Sequence, residues 1–215
     1  MPGDKGRLMS ALNYLREIIW PLLEGPEPPR PSIALCSFRP PDELDESVLE
    51  RAYDLSWRLY EAEENRLATI NNKSSLLATV GAAAVAIVPA LTAWFYELGN
   101  GSTVTAAVSL GGACIAMVYL ITAVFHATRA LDLRGRHALQ PKDAICPAPV
   151  SRRDYTARLI ALLGCYTVRN YHSTNRSADY YRLAQAYFKR GLFVTALIGV
   201  LSVATTLVRL LVHMR

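Results

Sequence analysis

The sequence predicts an all-α integral membrane protein with three transmembrane helices, of which the first and third extend into a cytoplasmic helical bundle. Three long apolar stretches carry this prediction: Ser74 to Tyr96, Val104 to Phe125 and Gly191 to Leu211. Each is long enough to cross the hydrocarbon core of a bilayer, roughly 30 Å thick, as a helix. The first two stretches contain no formal charge, so a buried helix of a soluble domain is the weaker interpretation for them.

The third stretch is the least regular span. It is uncharged only from Gly191 to Val208 and is followed by Arg209. It crosses the bilayer if the Arg209 guanidinium extends to the far interface.

The distribution of basic residues predicts the orientation. The connection from Glu97 to Thr103 contains no Lys or Arg, whereas the segment between the second and third stretches contains ten Arg and two Lys. The positive-inside rule therefore places that segment in the cytoplasm, together with the N-terminus. We expect a multi-pass protein of the cell inner membrane with a cytoplasmic N-terminus.

Composition agrees with this class. The chain has 215 residues, of which 52% are hydrophobic, and a formal net charge of +5. The excess positive charge is explained by the cytoplasmic location of the basic segment and by its attraction to anionic lipid headgroups. The lipid bilayer is therefore an expected partner, and nucleic acid is not. Four cysteines, Cys36, Cys114, Cys146 and Cys165, have no CxxC spacing, so we expect neither a disulfide framework nor a zinc site.

The chain divides into two predicted regions. Residues 1–46 hold a short amphipathic helix, Lys5 to Leu23, and a proline-rich connector. Residues 47–215 form the helical membrane domain, whose first helix runs unbroken from Ser47 to Tyr96, with Ser47 and Glu50 as a capping box. The apolar residues that predict the start of this helix are Val48, Ala52, Leu55, Leu59 and Ala62.

The segment from 126 to 190 is expected to be a cytoplasmic helical segment. A helical extension follows the second span as far as Pro141, and helix resumes at Ser151 or Arg152. Two apolar stripes predict the faces of that second helix: Leu159, Leu162, Leu163 and Tyr166, then Tyr180, Leu183, Ala184, Tyr187 and Phe188.

No motif of an enzyme is present. The chain contains no GxSxG, HExxH, phosphate loop or GxGxxG, and its four histidines lie in four different settings. We expect no enzymatic activity, no catalytic residue, no metal site and no cofactor.

Three sets of residues are candidates for other functions. Basic and aromatic side chains that could contact an anionic ligand or a partner are Arg169, Tyr171, His172, Arg176, Tyr180 and Arg182. The same composition is typical of an amphipathic, membrane-proximal helix.

A second set lies at the predicted membrane boundary. It could form a latch that holds the transmembrane bundle closed, and it consists of Glu63, Arg66, Asn72, Lys73 and Arg129. The alternative is a solvated helix face, because exposed ion pairs contribute under about 1 kcal/mol.

The third set consists of small residues at four-residue spacing within the spans. Its members are Ala78, Ala82, Ala86, Ala90, Gly112, Ala116, Gly191, Thr195 and Gly199. Such stripes allow helix backbones to approach closely in lipid. They could pack the three helices of one monomer or join helices of different monomers, so a homo-oligomer is expected in the second case.

The run from Leu59 to Leu77, LYEAEENRLATINNKSSLL, enters a membrane span directly and a second span follows closely. In this it resembles the SLATT-type and related small transmembrane effectors of bacterial conflict systems, over Ser47 to about Phe125, with a looser similarity in Ser177 to Val203. The resemblance implies a helical inner-membrane effector that damages the membrane when phage infection is sensed. It also implies control by a co-encoded sensor or nucleotide-signalling protein.

Two functions therefore follow from the sequence as expectations. The first is an oligomeric effector of antiphage defence that permeabilises or depolarises the inner membrane when triggered by a nucleotide signal or a partner protein. The second is a non-lytic membrane-anchored scaffold or signalling subunit that recruits a cytoplasmic partner.

Overall fold

The computed structural model describes residues 45–98, 103–132 and 151–213. These residues form three α-helices, α1 (Glu46–Leu98), α2 (Thr103–Leu131) and α3 (Arg152–His213), and contain no strand. Each helix includes a stretch long and apolar enough to cross a membrane by length and composition. The all-α class with three candidate spans is thus confirmed. The helix and connector predicted within residues 1–46 lie outside the described residues, as do residues 133–150 of the predicted segment between spans two and three.

The first helix begins one residue earlier than predicted, and its cap is different. The Asp45 backbone carbonyl accepts from the amides of Val48 (3.1 Å) and Leu49 (3.2 Å), so Asp45 is the N-cap residue. The Ser47 hydroxyl donates to the Asp45 carboxylate at 2.7 Å. This bond, followed by that from the Ser47 backbone amide, lowers the pKa of the Asp45 carboxyl. The predicted Ser47–Glu50 capping box is therefore wrong, because Asp45 takes the cap position.

The third helix begins at the predicted place. The Ser151 hydroxyl accepts from the Asp154 amide at 3.1 Å and donates to the Asp154 carboxylate at 2.7 Å. The first bond satisfies a free amide in the first turn of α3, as expected for an N-cap serine, and the second orients the Ser151 hydroxyl. Arg152 then extends its guanidinium to the Glu50 carboxylate of α1, with an N–O distance of 2.7 Å.

The described residues divide into two compact units. The apolar unit comprises Lys73–Leu131 and residues 179–213, and the polar unit comprises residues 45–72, 132 and 151–178. The boundary falls within α1 and within α3, so each of these long helices contributes one part to each unit.

The apolar unit is packed with a heptad repeat. Along α2 the buried positions alternate four and three residues apart: Ser109, Ala113, Ala116, Leu120, Ala123, Ala127 and Ala130. This spacing keeps one seam of a helix facing its neighbours in a left-handed bundle. Most seam residues are alanine, which permits short distances between helix axes.

The part of α1 in the apolar unit follows the same period. Its buried residues recur every seven positions, at Ser74, Gly81, Val88 and Phe95. Gly81 faces α2 so closely that a Cβ there would lie 2.8 Å from Val124 Cγ2. Glycine at this seam position therefore allows α1 and α2 to approach each other.

The polar unit has a seam of its own. Its buried α1 residues are Leu49, Tyr60 and Glu63, and its buried α3 residues are Ala157, Ala161, Leu163, Cys165, Asn170, Thr174 and Ser177. The predicted apolar residues Val48, Leu55 and Leu59 are exposed instead. These residues predicted the helix correctly, but they do not form its buried face, because α1 carries apolar residues on two sides.

One cysteine contradicts the sequence-based expectation. Cys165 is buried on the packed face of α3 and is disulfide-bonded, whereas Cys114 is a free, exposed thiol. The expectation that the chain forms no disulfide is wrong for Cys165. Spacing along the chain could not reveal a partner that only the fold brings near.

Candidate functional site

A polar cluster around Arg66 joins α1 and α3 within the polar unit. One guanidinium nitrogen of Arg66 donates to the Asn175 Oδ1 atom at 2.6 Å. A second nitrogen lies 3.5 Å from the Glu63 Oε2 atom, and the guanidinium carbon is 5.4 Å from the centre of the Tyr171 ring. Arg66 thus contacts an amide, a carboxylate and an aromatic face at once, for which the planar guanidinium is suited.

Glu63 is the unusual member of this cluster. The residue is only 8% exposed, and its Oε1 atom is buried with no hydrogen-bond partner among the described residues. A carboxylate on the seam of a helical bundle must be stabilised by its neighbours, because burial without a bond is unfavourable. Arg66, one turn further along α1, provides a positive charge 3.5 Å from the Glu63 Oε2 atom.

The α3 side of this cluster is also polar. Asn170, Thr174 and Ser177 are almost completely buried. The Thr174 hydroxyl donates to the Asn170 carbonyl of its own helix at 2.9 Å. The seam of the polar unit therefore carries a layer of hydrogen-bonding groups, which contributes less hydrophobic stabilisation than leucine would and makes the pairing of helices more specific.

The predicted ligand set is divided between the units. Tyr171 and Arg176 are exposed in the polar unit, and Arg169 and His172 are half-buried there. The His172 ring contacts the Tyr171 ring edge to face, with centroids 6.0 Å apart. Tyr180 and Arg182 belong to the apolar unit instead.

The predicted latch set is divided in the same way. Glu63, Arg66 and Asn72 belong to the polar unit, whereas Lys73 and Arg129 belong to the apolar unit. The Arg129 guanidinium lies 4.9 Å from the centre of the Phe125 ring, one turn earlier on α2. Lys73 and Asn72 are exposed. A latch between these groups stays a prediction, while the Arg66 cluster is an observed contact between α1 and α3.

An aromatic cluster of the apolar unit was missed by sequence reasoning. The His126 ring of α2 is stacked between Tyr180 and Tyr187 of α3, at centroid distances of 6.1 and 5.6 Å. Tyr119 approaches Tyr187 with centroids 6.2 Å apart. Tyr180 and Tyr187 were assigned to an apolar stripe of α3, but nothing in the sequence connects that stripe to His126, which lies on another helix.

The small residues fall into two groups. Gly112, Ala116 and Gly191 pack inside the apolar unit, where a Cβ at Gly191 would lie 2.8 Å from Leu120 Cγ. Gly199 and Thr195 are half-buried, and Gly199 faces the Phe95 ring. In contrast, Ala82, Ala86 and Ala90 are exposed, and Ala78 is half-buried. The α2 and α3 members therefore pack the monomer, while most of the α1 stripe does not.

The fold and these contacts define a helical protein with three helices suited to span a membrane, and with a polar helical unit. Comparison with protein-family models, curated proteins and solved structures gives no significant match to this chain.

Proposed function

We propose that this chain is an oligomeric inner-membrane effector of bacterial antiphage defence that permeabilises or depolarises the membrane when triggered. In this proposal the apolar unit resides in the bilayer and the polar unit lies in the cytoplasm with the N-terminus. A nucleotide signal or a co-encoded sensor protein acts on the polar unit. The role in defence rests on the resemblance of Ser47 to Phe125 to SLATT-type effectors.

The observation that carries the proposal is the exposed alanine face of α1. Gly81 and Val88 are buried against the other helices, whereas Ala82, Ala86 and Ala90 lie outside on the same helix. Small residues allow a second helix to pack closely in lipid. Close packing is needed there because lipid tails are as apolar as the helix surface, so the hydrophobic effect does not drive helices together. This face is therefore available to another copy of the chain, and self-assembly is what a permeabilising effector requires.

The Arg66 cluster is the proposed trigger site. Its polar contacts join α1 to α3, and the Arg66 side chain remains 40% exposed, so its guanidinium is accessible to a ligand. An anionic ligand or partner could compete with Glu63 and Asn175 for the Arg66 guanidinium. Such competition would change the contact between α1 and α3 within the polar unit.

Disulfide crosslinking tests the assembly. A cysteine introduced as Ala86→Cys, with Cys114→Ser to remove the free thiol found among the described residues, should give crosslinked dimers in oxidised membranes. Val80→Cys in the same background is the matched control, because Val80 is also exposed but lies on another side of α1. Equal crosslinking from positions 80 and 86 would contradict an interface along the alanine face.

A leucine substitution provides a second test of the same face. Ala82→Leu should weaken crosslinking. It should leave the monomer fold intact, because the Ala82 side chain is exposed. Gly199→Leu should instead disturb the monomer, since a Cβ at Gly199 would lie 3.2 Å from the Phe95 ring. The two stripes that sequence reasoning treated alike should thus give different results.

One observation favours the second candidate function, a non-lytic scaffold. In the polar unit α1 exposes Val48, Leu55, Trp57 and Leu59, which is more apolar surface than a solvated helix needs. A cytoplasmic partner could bind there. A scaffold predicts partner recruitment with the membrane potential preserved, which separates it from the effector.

A further inference from the structure

The register of α3 against α2 places two basic residues beside an uncharged part of α2. A Cβ at Gly191 would lie 2.8 Å from Leu120 Cγ, and one at Gly112 would lie 2.6 Å from Ile198 Cδ1, so the two helices are antiparallel at this height. Lys189 and Arg190 directly precede Gly191. They therefore lie near the height of Leu120, roughly 13 Å along α2 from Arg129 at 1.5 Å per residue.

The apolar stretches of the two helices are consequently staggered. The uncharged part of α2 extends well past the point at which α3 becomes charged. Phe125 and Ile121 of α2 are exposed apolar residues in this interval. If lipid covers them, Lys189 and Arg190 stand at the edge of the hydrocarbon, where basic side chains reach towards the headgroups and attract anionic ones.

The surface of α3 at this height is concave and basic. An open cavity of about 370 Å³ is lined by Arg182, Gln185, Ala186, Lys189 and Arg190. Arg182 and Lys189 are seven residues apart, or about 10 Å along the helix, so their long side chains can converge on one phosphate. Arg182 keeps 79% of its side-chain surface exposed although it lies 3.7 Å from Asp179.

We propose that this cavity is a binding site for the headgroup of an anionic phospholipid. The phosphate of a lipid already resident in the adjacent leaflet is held by Arg182 and Lys189, with Arg190 adding positive charge. Ala186 leaves room between the two basic side chains. Binding a lipid here fixes the depth of α3 in the bilayer and offsets the stagger between α2 and α3.

Native mass spectrometry of the full chain in detergent containing equal amounts of phosphatidylglycerol and phosphatidylcholine tests the proposal. The wild-type chain should retain phosphatidylglycerol preferentially. The double variant Arg182→Gln/Lys189→Gln should lose that preference, with a decrease in apparent affinity of roughly 30-fold for two basic groups. The charge-preserving Arg182→Lys/Lys189→Arg variant should keep it.

The matched control is Arg51→Gln/Arg58→Gln, which removes two exposed charges at the same seven-residue spacing on α1, outside the apolar unit. It should retain phosphatidylglycerol like the wild type. Equal retention by the wild type and the Arg182/Lys189 variant would overturn the site, and so would an equal loss in the control. Displacement of the lipid by soluble glycerol phosphate would show a site for free phosphate anions and would also overturn the proposal.

Discussion

At the scale of single residues, Arg66 is an exposed side chain of the polar unit that contacts residues of both α1 and α3. Its guanidinium contacts Glu63, Asn175 and Tyr171, although its side chain is 40% exposed. No single contact of this kind is strong in water. These contacts matter through their geometry, because one planar group holds three partners on two helices. A change in the distance between α1 and α3 would therefore break some of them.

Replacing Arg66 by Lys tests whether this geometry matters. Lysine keeps the positive charge but has neither the planar fork nor the stacking surface, so it cannot hold Glu63, Asn175 and Tyr171 together. We expect the free energy of unfolding to fall by only about 1 kcal/mol or less. Triggered depolarisation should differ clearly from that of the wild type. Thermal unfolding in detergent and a potential-sensitive dye measure the two effects.

Arg58→Lys is the control for that variant, because Arg58 is exposed on the same helix two turns earlier. It should behave like the wild type in both measurements. If Arg66→Lys is also indistinguishable from the wild type in triggered cells, the Arg66 cluster is a structural contact and not the trigger site.

The Arg66 cluster also shows what sequence reasoning could not supply. The pairing of Glu63 with Arg66 follows from their helical spacing, but the bond from Arg66 to Asn175 joins residues 109 positions apart. Sequence placed Tyr171 in a ligand set and Arg66 in a latch set, since nothing local connects them. Only the packing of α1 on α3 brings the two sets together.

At the scale of helices, length and hydropathy were sufficient for the main elements. An unbroken helix from Ser47 to Tyr96 was predicted because no residue before Pro89 interrupts it, and α1 (Glu46–Leu98) continues through that proline. The seam of α1 was not predictable. Gly81, Ala82, Ala86 and Val88 are all small or apolar, so composition does not tell which of them face a neighbouring helix.

Glycine substitutions test that seam. Gly191→Ala places a methyl group 2.8 Å from Leu120 Cγ, and Leu120 is completely buried. We expect a loss of about 1–3 kcal/mol, as for other overpacked cores. Gly111→Ala on α2 is the control, because no atom lies within 4 Å of its Cβ position. Chemical unfolding in detergent should show the control to be neutral or stabilised, since alanine favours helix.

The direction of the helices through the membrane is a separate question. The basic residues between α2 and α3 indicate a cytoplasmic location for that segment. The disulfide of Cys165, which belongs to the polar unit, is typical of an oxidising compartment. The charge distribution and the disulfide favour opposite locations for the polar unit, and a reporter of location distinguishes them.

Alkaline phosphatase fusions provide that measurement, because the enzyme is active only outside the cytoplasm. We predict an active fusion at residues 99–102 and an inactive one at Pro147. Activity at Pro147 would place the polar unit outside the cytoplasm, in agreement with the Cys165 disulfide, and would refute the proposed orientation.

At the scale of the whole molecule, the two units have different chemistry. The apolar unit exposes large apolar side chains on all three helices, for example Leu76, Ile115 and Phe193. The polar unit places Glu63, Asn170 and Thr174 on its seam. We interpret this difference as a difference of role: the apolar unit is suited to contact with lipid, and the polar unit to contact with a polar signal.

The central claim is that the triggered chain dissipates the membrane potential. The most direct test is a potential-sensitive dye in bacteria that express the chain with its neighbouring genes and are then challenged with phage. Wild-type cells should lose their potential before translation falls. Ala86→Arg, which costs at least roughly 2.5 kcal/mol for a charge at the centre of a span, should abolish the loss. Triggered wild-type cells that keep their potential while a cytoplasmic partner collects at the membrane would contradict the effector function and favour the scaffold.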